Sequence, residues 1–347
     1  MQAILDLTLK DLESYLKDNG FPVFAAGQIF SWIYQKGVYD FAQMTDLSKD
    51  LRNFLKLNFH ILNLTLLKIL VSNDRTQKFL FGLYDRQGIE SVLIPTSGRL
   101  TACISTQAGC RFACRFCASG AQGWQRDLTS AEIIQQVIFL KDKAGRRINN
   151  LVFMGIGEPL DNYHNVLKAV RILNSSYSLN IGIRRMTIST CGLIPGIERL
   201  AEEKLQIELS ISLHAGDNQT RSHLMPINKR YPLEELISCC RSYFKKTKRQ
   251  ITFEYILLKG INTDLNQARK LIKLLTGLEV KVNLIPASRF KDEFSSPLKL
   301  EMLLFKDVLF KAGIPVTIRQ PRGTDIQAAC GQLRLINSFE KKSPKQA

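Results

Sequence analysis

Apolar residues recur along this chain with two different periods, and the change of period divides it. In residues 8–19, Leu9, Leu12 and Leu16 fall at intervals of three and four, which predicts an amphipathic helix. Residues 28–35, with Ile29, Phe30, Trp32, Ile33 and Tyr34, and residues 47–57 predict two more. Runs over 64–72, 77–84 and 89–95, broken at Asn73-Asp74 and Arg86-Gln87-Gly88, predict a β-meander. Beyond about residue 100, strands predicted at 101–106, 150–154, 185–190, 206–213, 250–257, 281–285 and 315–319 alternate with helices at 130–144, 162–174, 197–203, 233–245, 264–276 and 298–312. A succession of βα units implies an α/β fold whose parallel sheet curls into a partial (β/α)6, TIM-like barrel. Chemistry in such folds sits on loops at the strand C-termini. The expected organisation is a small helical N-terminal accessory domain over 1–60, a connecting meander over 61–97, the barrel with a C-terminal loop over 98–335, and a disordered tail over 336–347.

Composition narrows the class. The chain of 347 residues is 45% hydrophobic and 23% charged, enough apolar material for a large core. No run reaches the roughly 18 apolar residues that span a bilayer. Residues 1–20 hold four acids, unlike a signal peptide. A soluble cytoplasmic protein is expected, with no membrane partner and, absent any oligomer signal, as a monomer. The net charge of +17 is uneven: residues 1–90 carry ten basic and ten acidic side chains, so the excess lies wholly in 91–347. Such a field suits a polyanion, because phosphate neutralisation drives sequence-independent nucleic-acid affinity. Arg146-Arg147, Arg184-Arg185, Lys229-Arg230 and the 245–249 cluster contribute to it.

Eight cysteines in a long chain without a secretory signal point to metal or catalysis rather than to a disulfide scaffold. Cys110, Cys114 and Cys117 form C-x3-C-x2-C just past the first strand of the alternating region. Structural zinc asks for four ligands, usually as two separated pairs. Three thiolates on one loop better match a [4Fe–4S] cluster with one iron lacking a protein ligand. With Phe116 before the last cysteine, the motif resembles that of the radical S-adenosylmethionine (SAM) superfamily. The resemblance implies that SAM chelates the open iron and is cleaved by an electron from the cluster. Candidates for the rest of the SAM site lie on later strand ends. They are Gly157 and Glu158 in Gly155-Ile156-Gly157-Glu158-Pro159, then Ser189, then Ser212, Leu213 and His214, and Asn283.

Longer strings resemble one branch of that superfamily. Ile104-Ser105-Thr106-Gln107-Ala108-Gly109-Cys110, Phe153-Met154-Gly155-Ile156-Gly157-Glu158-Pro159-Leu160, Leu224-Met225-Pro226-Ile227-Asn228 and Ala328-Ala329-Cys330-Gly331-Gln332-Leu333 together are similar to the RlmN family. That family methylates C2 of adenine in 23S rRNA and in certain tRNAs. The sister Cfr-type enzymes methylate C8, and the intact Gly157-Glu158-Pro159-Leu160 favours RlmN. The resemblance implies that Cys330 carries a methyl group as S-methylcysteine and becomes joined to RNA. It implies that Glu90 accepts the C2 proton and that Cys103 resolves the adduct through a transient disulfide with Cys330. The resemblance further implies that two SAM are consumed per turnover and that an electron donor such as flavodoxin or ferredoxin is required. Cys191 departs from the small residue expected after Ser189-Thr190; it receives no role, and neither do Cys239 and Cys240. The competing readings are C8 methylation and a non-catalytic RNA-binding protein with a structural Fe–S or zinc centre.

Overall fold

The computed structural model describes residues 1–121, 123–288, 293–333 and 336–337. Of the tail expected over 336–347, Ile336–Asn337 is instead a short strand paired antiparallel with Gln87-Gly88, and the rest lies outside the described residues. The chain is an α/β fold built on one mixed sheet. Its strand order is Val316–Ile318, Val280–Pro286, Ile251–Leu257, Glu208–Ser212, Met186–Thr190, Asn150–Phe153, Arg99–Cys103, Gln87–Thr96, Gln77–Gly82 and Thr65–Val71. The first seven run parallel, with the pairs Val282↔Val316, Phe253↔Val282, Leu209↔Ile251, Ile188↔Leu209, Ile188↔Phe153 and Cys103↔Val152 in register. The meander strands continue the same sheet antiparallel, Val92 facing Cys103 and Leu80 facing Glu90. Because this path has two ends, the barrel is partial.

Period-two alternation explains what the strands enclose. Leu151, Ile188, Leu209, Ile211, Phe253 and Val282 are buried under the outer helices. The intervening residues include Asn150, Thr187, Ser210, Thr252, Glu254, Asn283 and Thr317, and they line a polar lumen of about 600 Å³. A parallel sheet is ordinarily apolar on both faces. Here the inner face is kept polar, so the lumen is built for a polar occupant.

The outer helices start where side chains cap them. Thr129 accepts from the Glu132 N–H and Glu132 from the Thr129 N–H, closing a capping box on the helix Ser130–Ala144. The N-terminal module holds the helices Leu9–Asp18, Ala25–Phe30 and Lys49–Asn58, and the two-residue strands Gln2–Ala3 and Phe59–His60 pair parallel across it. The helix expected over 28–35 is instead an α-helix that passes into a π-turn over Ser31–Gln35. The module packs firmly on the barrel. The Asp6 carboxylate accepts from Ser130 Oγ and the Ala131 N–H at 2.6 and 2.7 Å, at the positive end of a barrel helix. Tyr39 donates to Asp142, and one apolar core runs through both parts.

Candidate active site

After Cys103 the chain leaves the sheet, forms a hairpin of Gln107–Gly109 with Trp124–Asp127, and carries the cysteine loop between its arms. The loop is tied in by Cys110 N–H donating to the Gly123 carbonyl and Arg115 N–H to the Leu224 carbonyl. Cys110, Cys114 and Cys117 line one cavity of about 150 Å³ with Gly157, Glu158, Ser189, Ser212, His214 and Cys330. Burial and the neighbouring Cys117 and Cys110 push the Cys114 thiol well up. Cys110 is pushed to about 12 by burial and, against a Phe112 backbone N–H, by Cys117. The three thiols therefore share one space. Among the described residues no three Cys, His, Asp or Glu side chains converge as one metal ion requires. Thiolates on a single zinc lie about 3.8 Å apart, from Zn–S bonds of ~2.3 Å. Thiols spread around a cavity fit the larger [4Fe–4S] cube.

The glycine loop forms the wall opposite. Gly157 has φ +102°, and a Cβ there would lie 2.6 Å from Gln107 Cβ, so only glycine fits. Gln107 fixes the next residue: its Oε1 accepts the Glu158 N–H at 2.8 Å, and its Nε2 donates to Asp127 and Asp161. The buried Glu158 carboxylate accepts from the Cys191 N–H at 2.7 Å and the Leu160 N–H at 3.1 Å. Burial raises its pKa against these bonds. It keeps acceptor capacity for an ammonium group. His214, at φ +60°, accepts the Ile256 N–H on Nδ1, which leaves Nε2 as the protonated nitrogen. Burial lowers its pKa to about 3, so the ring is a neutral donor.

Leu213 contributes backbone: its carbonyl accepts from buried Arg221 at 3.2 Å. Asn283 faces the lumen, donating to Glu254 Oε1 at 3.1 Å and accepting from Thr317 Oγ1 at 2.6 Å. Glu90 is buried and ion-paired with Lys78 at 2.9 Å. It borders a separate cavity of about 330 Å³ with Asp325, Ile326 and Gln327. On its strand it stands two residues from Val92, the partner of Cys103, and so on the same face.

Cys330 lines both the cluster cavity and the lumen. Its loop is held from two sides. Ala118 N–H donates to the Gly331 carbonyl and Ser119 Oγ to the Leu333 carbonyl, both at 2.7 Å, beside the cysteine loop. From the meander, Lys78 Nζ donates to the Gln327 carbonyl, Ser72 Oγ to Asp325, and the Gly323 N–H to Asp74. Cys103 is close enough to Cys330 that burial and that thiol push its pKa to about 12. Both cysteines are free thiols here.

Four residues outside the sequence-based candidates complete the site: Gln107, Arg221, Glu254 and Arg319. Arg221 is fully buried and donates to the carbonyls of Leu213, Ser212 and Cys191 and to Asn228 Oδ1. It thus ties two strand ends to the Met225-Pro226-Ile227-Asn228 segment.

This architecture, with three cysteines on the loop after the first barrel strand, defines a radical SAM enzyme. A model of the radical SAM superfamily matches residues 104–272, and one of the ribosomal RNA large subunit methyltransferase N-terminal domain matches residues 2–61. The chain is 46% identical over 336 residues to the "Probable dual-specificity RNA methyltransferase RlmN" of Clostridium novyi, covering 96% of this chain and 98% of that one. The protein of the same name from Thermotoga neapolitana matches at 46% with the same coverage. A crystal structure of a radical SAM methyltransferase from Sphaerobacter thermophilus superposes with a TM-score of 0.92 at 43% identity, over 96% of this chain and 99% of that one. The chain belongs to the RlmN family of radical SAM RNA methyltransferases. A [4Fe–4S] cluster, SAM, an RNA substrate and a reductant go with that membership. No helix among the described residues is long and apolar enough to cross a membrane.

Proposed function

We propose that this chain methylates C2 of adenine in 23S rRNA and in tRNA, through a methylated Cys330 and a transient protein–RNA adduct. The observation that carries the reading is the position of Cys330 in the wall shared by the cluster cavity and the lumen. C2 of adenine is electrophilic and cannot displace the methyl group of a sulfonium. A thiolate can, and Cys330 would take the methyl as a thioether from the first SAM. Cys110, Cys114 and Cys117 would hold the cluster, and Glu158 and His214 would meet the polar groups of SAM. When bound, the cluster and the second SAM would supply the one-electron chemistry: a SAM-derived radical to accept a hydrogen atom, and an acceptor for the electron released after addition. The Cys330 thioether methyl, having lost a hydrogen atom, adds to C2 in the lumen and links protein to RNA. Glu90 accepts the C2 proton. Cys103, as thiolate, then attacks the Cys330 sulfur: the S–S bond forms, the S–CH2 bond breaks, and its electron pair stays with carbon, which takes a proton to become methyl.

An unpaired base must enter the lumen, which suits a loop or a flipped adenine. The N-terminal module would read RNA shape, and flavodoxin or ferredoxin would deliver electrons. The test is to turn over Cys103→Ala and Cys330→Ala with RNA. Cys103→Ala should accumulate a covalent protein–RNA adduct on denaturing gels, and Cys330→Ala should give none. A Cys103→Ala enzyme that turns over freely would remove the resolving role.

A further inference from the structure

The end of the lumen away from the cysteine loop carries a charge pattern of its own. Arg99, Arg184 and Lys281 line the lumen at or just ahead of the start of the strands Arg99–Cys103, Met186–Thr190 and Val280–Pro286. Lys281 stands four residues before Ile285 and Arg184 five before Ser189, both of which line the cluster cavity. At ~3.3 Å per residue, that sets the cations roughly 13–16 Å of strand back from the cysteines. All three side chains are exposed. Among the described residues those of Arg99 and Lys281 make no hydrogen bond or ion pair, and Arg184 donates only to the neutral Gln206 amide, at 2.8 Å. Lys281 acts on buried Glu254 through space alone. The lumen's carboxylates are engaged elsewhere: Glu208 pairs with Arg249, and Glu254 accepts from Asn283 at 3.1 Å. The other two cations of the lumen, Arg319 and Arg322, lie past the strand Val316–Ile318, Arg322 at 3.9 Å from Asp74. At the opposite end the cysteine loop and the Cys330 loop are tied together through Ala118 and Ser119, both bonds at 2.7 Å.

We infer that Arg99, Arg184 and Lys281 seat the RNA phosphates that flank the reacting adenosine, so that the base enters the lumen from the end where the strands begin. The inference rests on the reading that the base reacts in the lumen beside Cys330. An extruded base stays joined through its ribose to two phosphates. The lumen, at about 600 Å³, has the size of a small-molecule site, ~300–1,000 Å³, and so suits one nucleoside rather than a length of chain. The flanking phosphates then remain at its mouth. Cations without carboxylate partners can neutralise them there without first giving up an ion pair. Between mouth and chemistry, Asn150, Thr187, Ser210 and Thr252 offer a base or ribose hydrogen bonds without charge.

The experiment titrates the reconstituted full chain with unmodified tRNA over a range of KCl concentrations and plots log affinity against log salt. Each contact to an unpaired strand contributes about 0.7 to the slope, so the triple variant Arg99→Gln/Arg184→Gln/Lys281→Gln should be shallower than wild type by about 2. At ~0.1 M salt its affinity should be lower by about a hundredfold. Lys245→Gln/Lys273→Gln/Lys299→Gln removes the same charge from exposed positions on the helices Leu233–Thr247, Leu265–Leu275 and Lys299–Lys311, and should change the slope by less than about 0.5. A lumen triple variant within about 0.5 of wild type, or a helix variant shifted as far as the lumen one, overturns the inference. Should the lumen triple variant not fold, its three single substitutions should each lower the slope by about 0.7, and three unshifted slopes overturn it equally. Bound tRNA should also shield Cys330 of the wild-type protein from iodoacetamide, as mapped by mass. If tRNA binds and Cys330 stays as reactive as before, the lumen reading beneath the inference falls, and that outcome is distinct from an unshifted slope.

Discussion

Gly157→Ala is the most direct mechanical probe of the site wall. At φ +102° an alanine stores backbone strain of about 1–3 kcal/mol. The new Cβ would also lie 2.6 Å from Gln107 Cβ and 2.8 Å from both its Cγ and its backbone N. Overpacking of this kind costs about 1–3 kcal/mol. The sum centres near 4 kcal/mol, and at about 2 °C per kcal/mol for a chain of this size the melting temperature should fall by roughly 8 °C. The damage is also local. Gln107 must move, and its Oε1 holds the Glu158 N–H at 2.8 Å, so the carboxylate proposed to meet SAM moves with it. Loss of about 1.4 kcal/mol there weakens SAM about tenfold. Gly98→Ala is the control: φ is +70° but nothing lies within 4 Å of the added Cβ, so it carries only strain of about 1–2 kcal/mol. Calorimetric unfolding and SAM titration of the two reconstituted variants read the comparison. Should Gly157→Ala bind SAM like wild type and melt no lower than Gly98→Ala, the steric argument is wrong.

Three further outcomes follow from the packing. Arg221→Met leaves the buried carbonyls of Leu213, Ser212 and Cys191 without their donor. It should cost about 3 kcal/mol or more by urea unfolding of the cluster-free chain; a loss under 1 kcal/mol would contradict the role given to Arg221. Lys78→Met removes the 2.9 Å ion pair to buried Glu90 and a donor to the Gln327 carbonyl, so stability should fall by about 1–3 kcal/mol. Proteolysis within 323–333 should quicken, and an unchanged cleavage rate would place the latch elsewhere. Burial pushes the Asp74 carboxyl up, but bonds from Thr76 and the Gly323 N–H outweigh it and hold it at about 2. A depressed carboxylate stabilises the fold above its unfolded value of about 3.9. That contribution is lost as pH falls toward 2. The gap in urea midpoint between wild type and Asp74→Asn should therefore be full at pH 7 and close between pH 4 and 2; a gap unchanged at pH 2 would refute it.

Much of the barrel was legible because apolar strands and helical stretches alternate strongly from Arg99 onward. The cysteine loop, Glu158 and His214 were legible because their spacing places them on successive strand ends. Asn283 stands two residues before Ile285, which lines both cavities, and the same register turns its side chain to the lumen, where it donates to Glu254. A signal for Glu254 and Arg319 did exist: polar residues at alternate positions of parallel strands, as in Thr252–Glu254 and Thr317–Arg319, have no reason to be there unless something polar is enclosed. Arg221 had no such signal, since an arginine reads as surface until the fold surrounds it. The helical face of residues 28–35 was clear, but not the π-turn, which is set by packing rather than by period.

The atom and the base that gain a methyl group test the proposed activity most directly. Reconstituted protein, SAM and a reductant, incubated with unmodified 23S rRNA and tRNA, should yield 2-methyladenosine when the RNA is digested and weighed by mass spectrometry. Recovery of 8-methyladenosine, or of no methylated adenosine from an enzyme that still cleaves SAM, would contradict it.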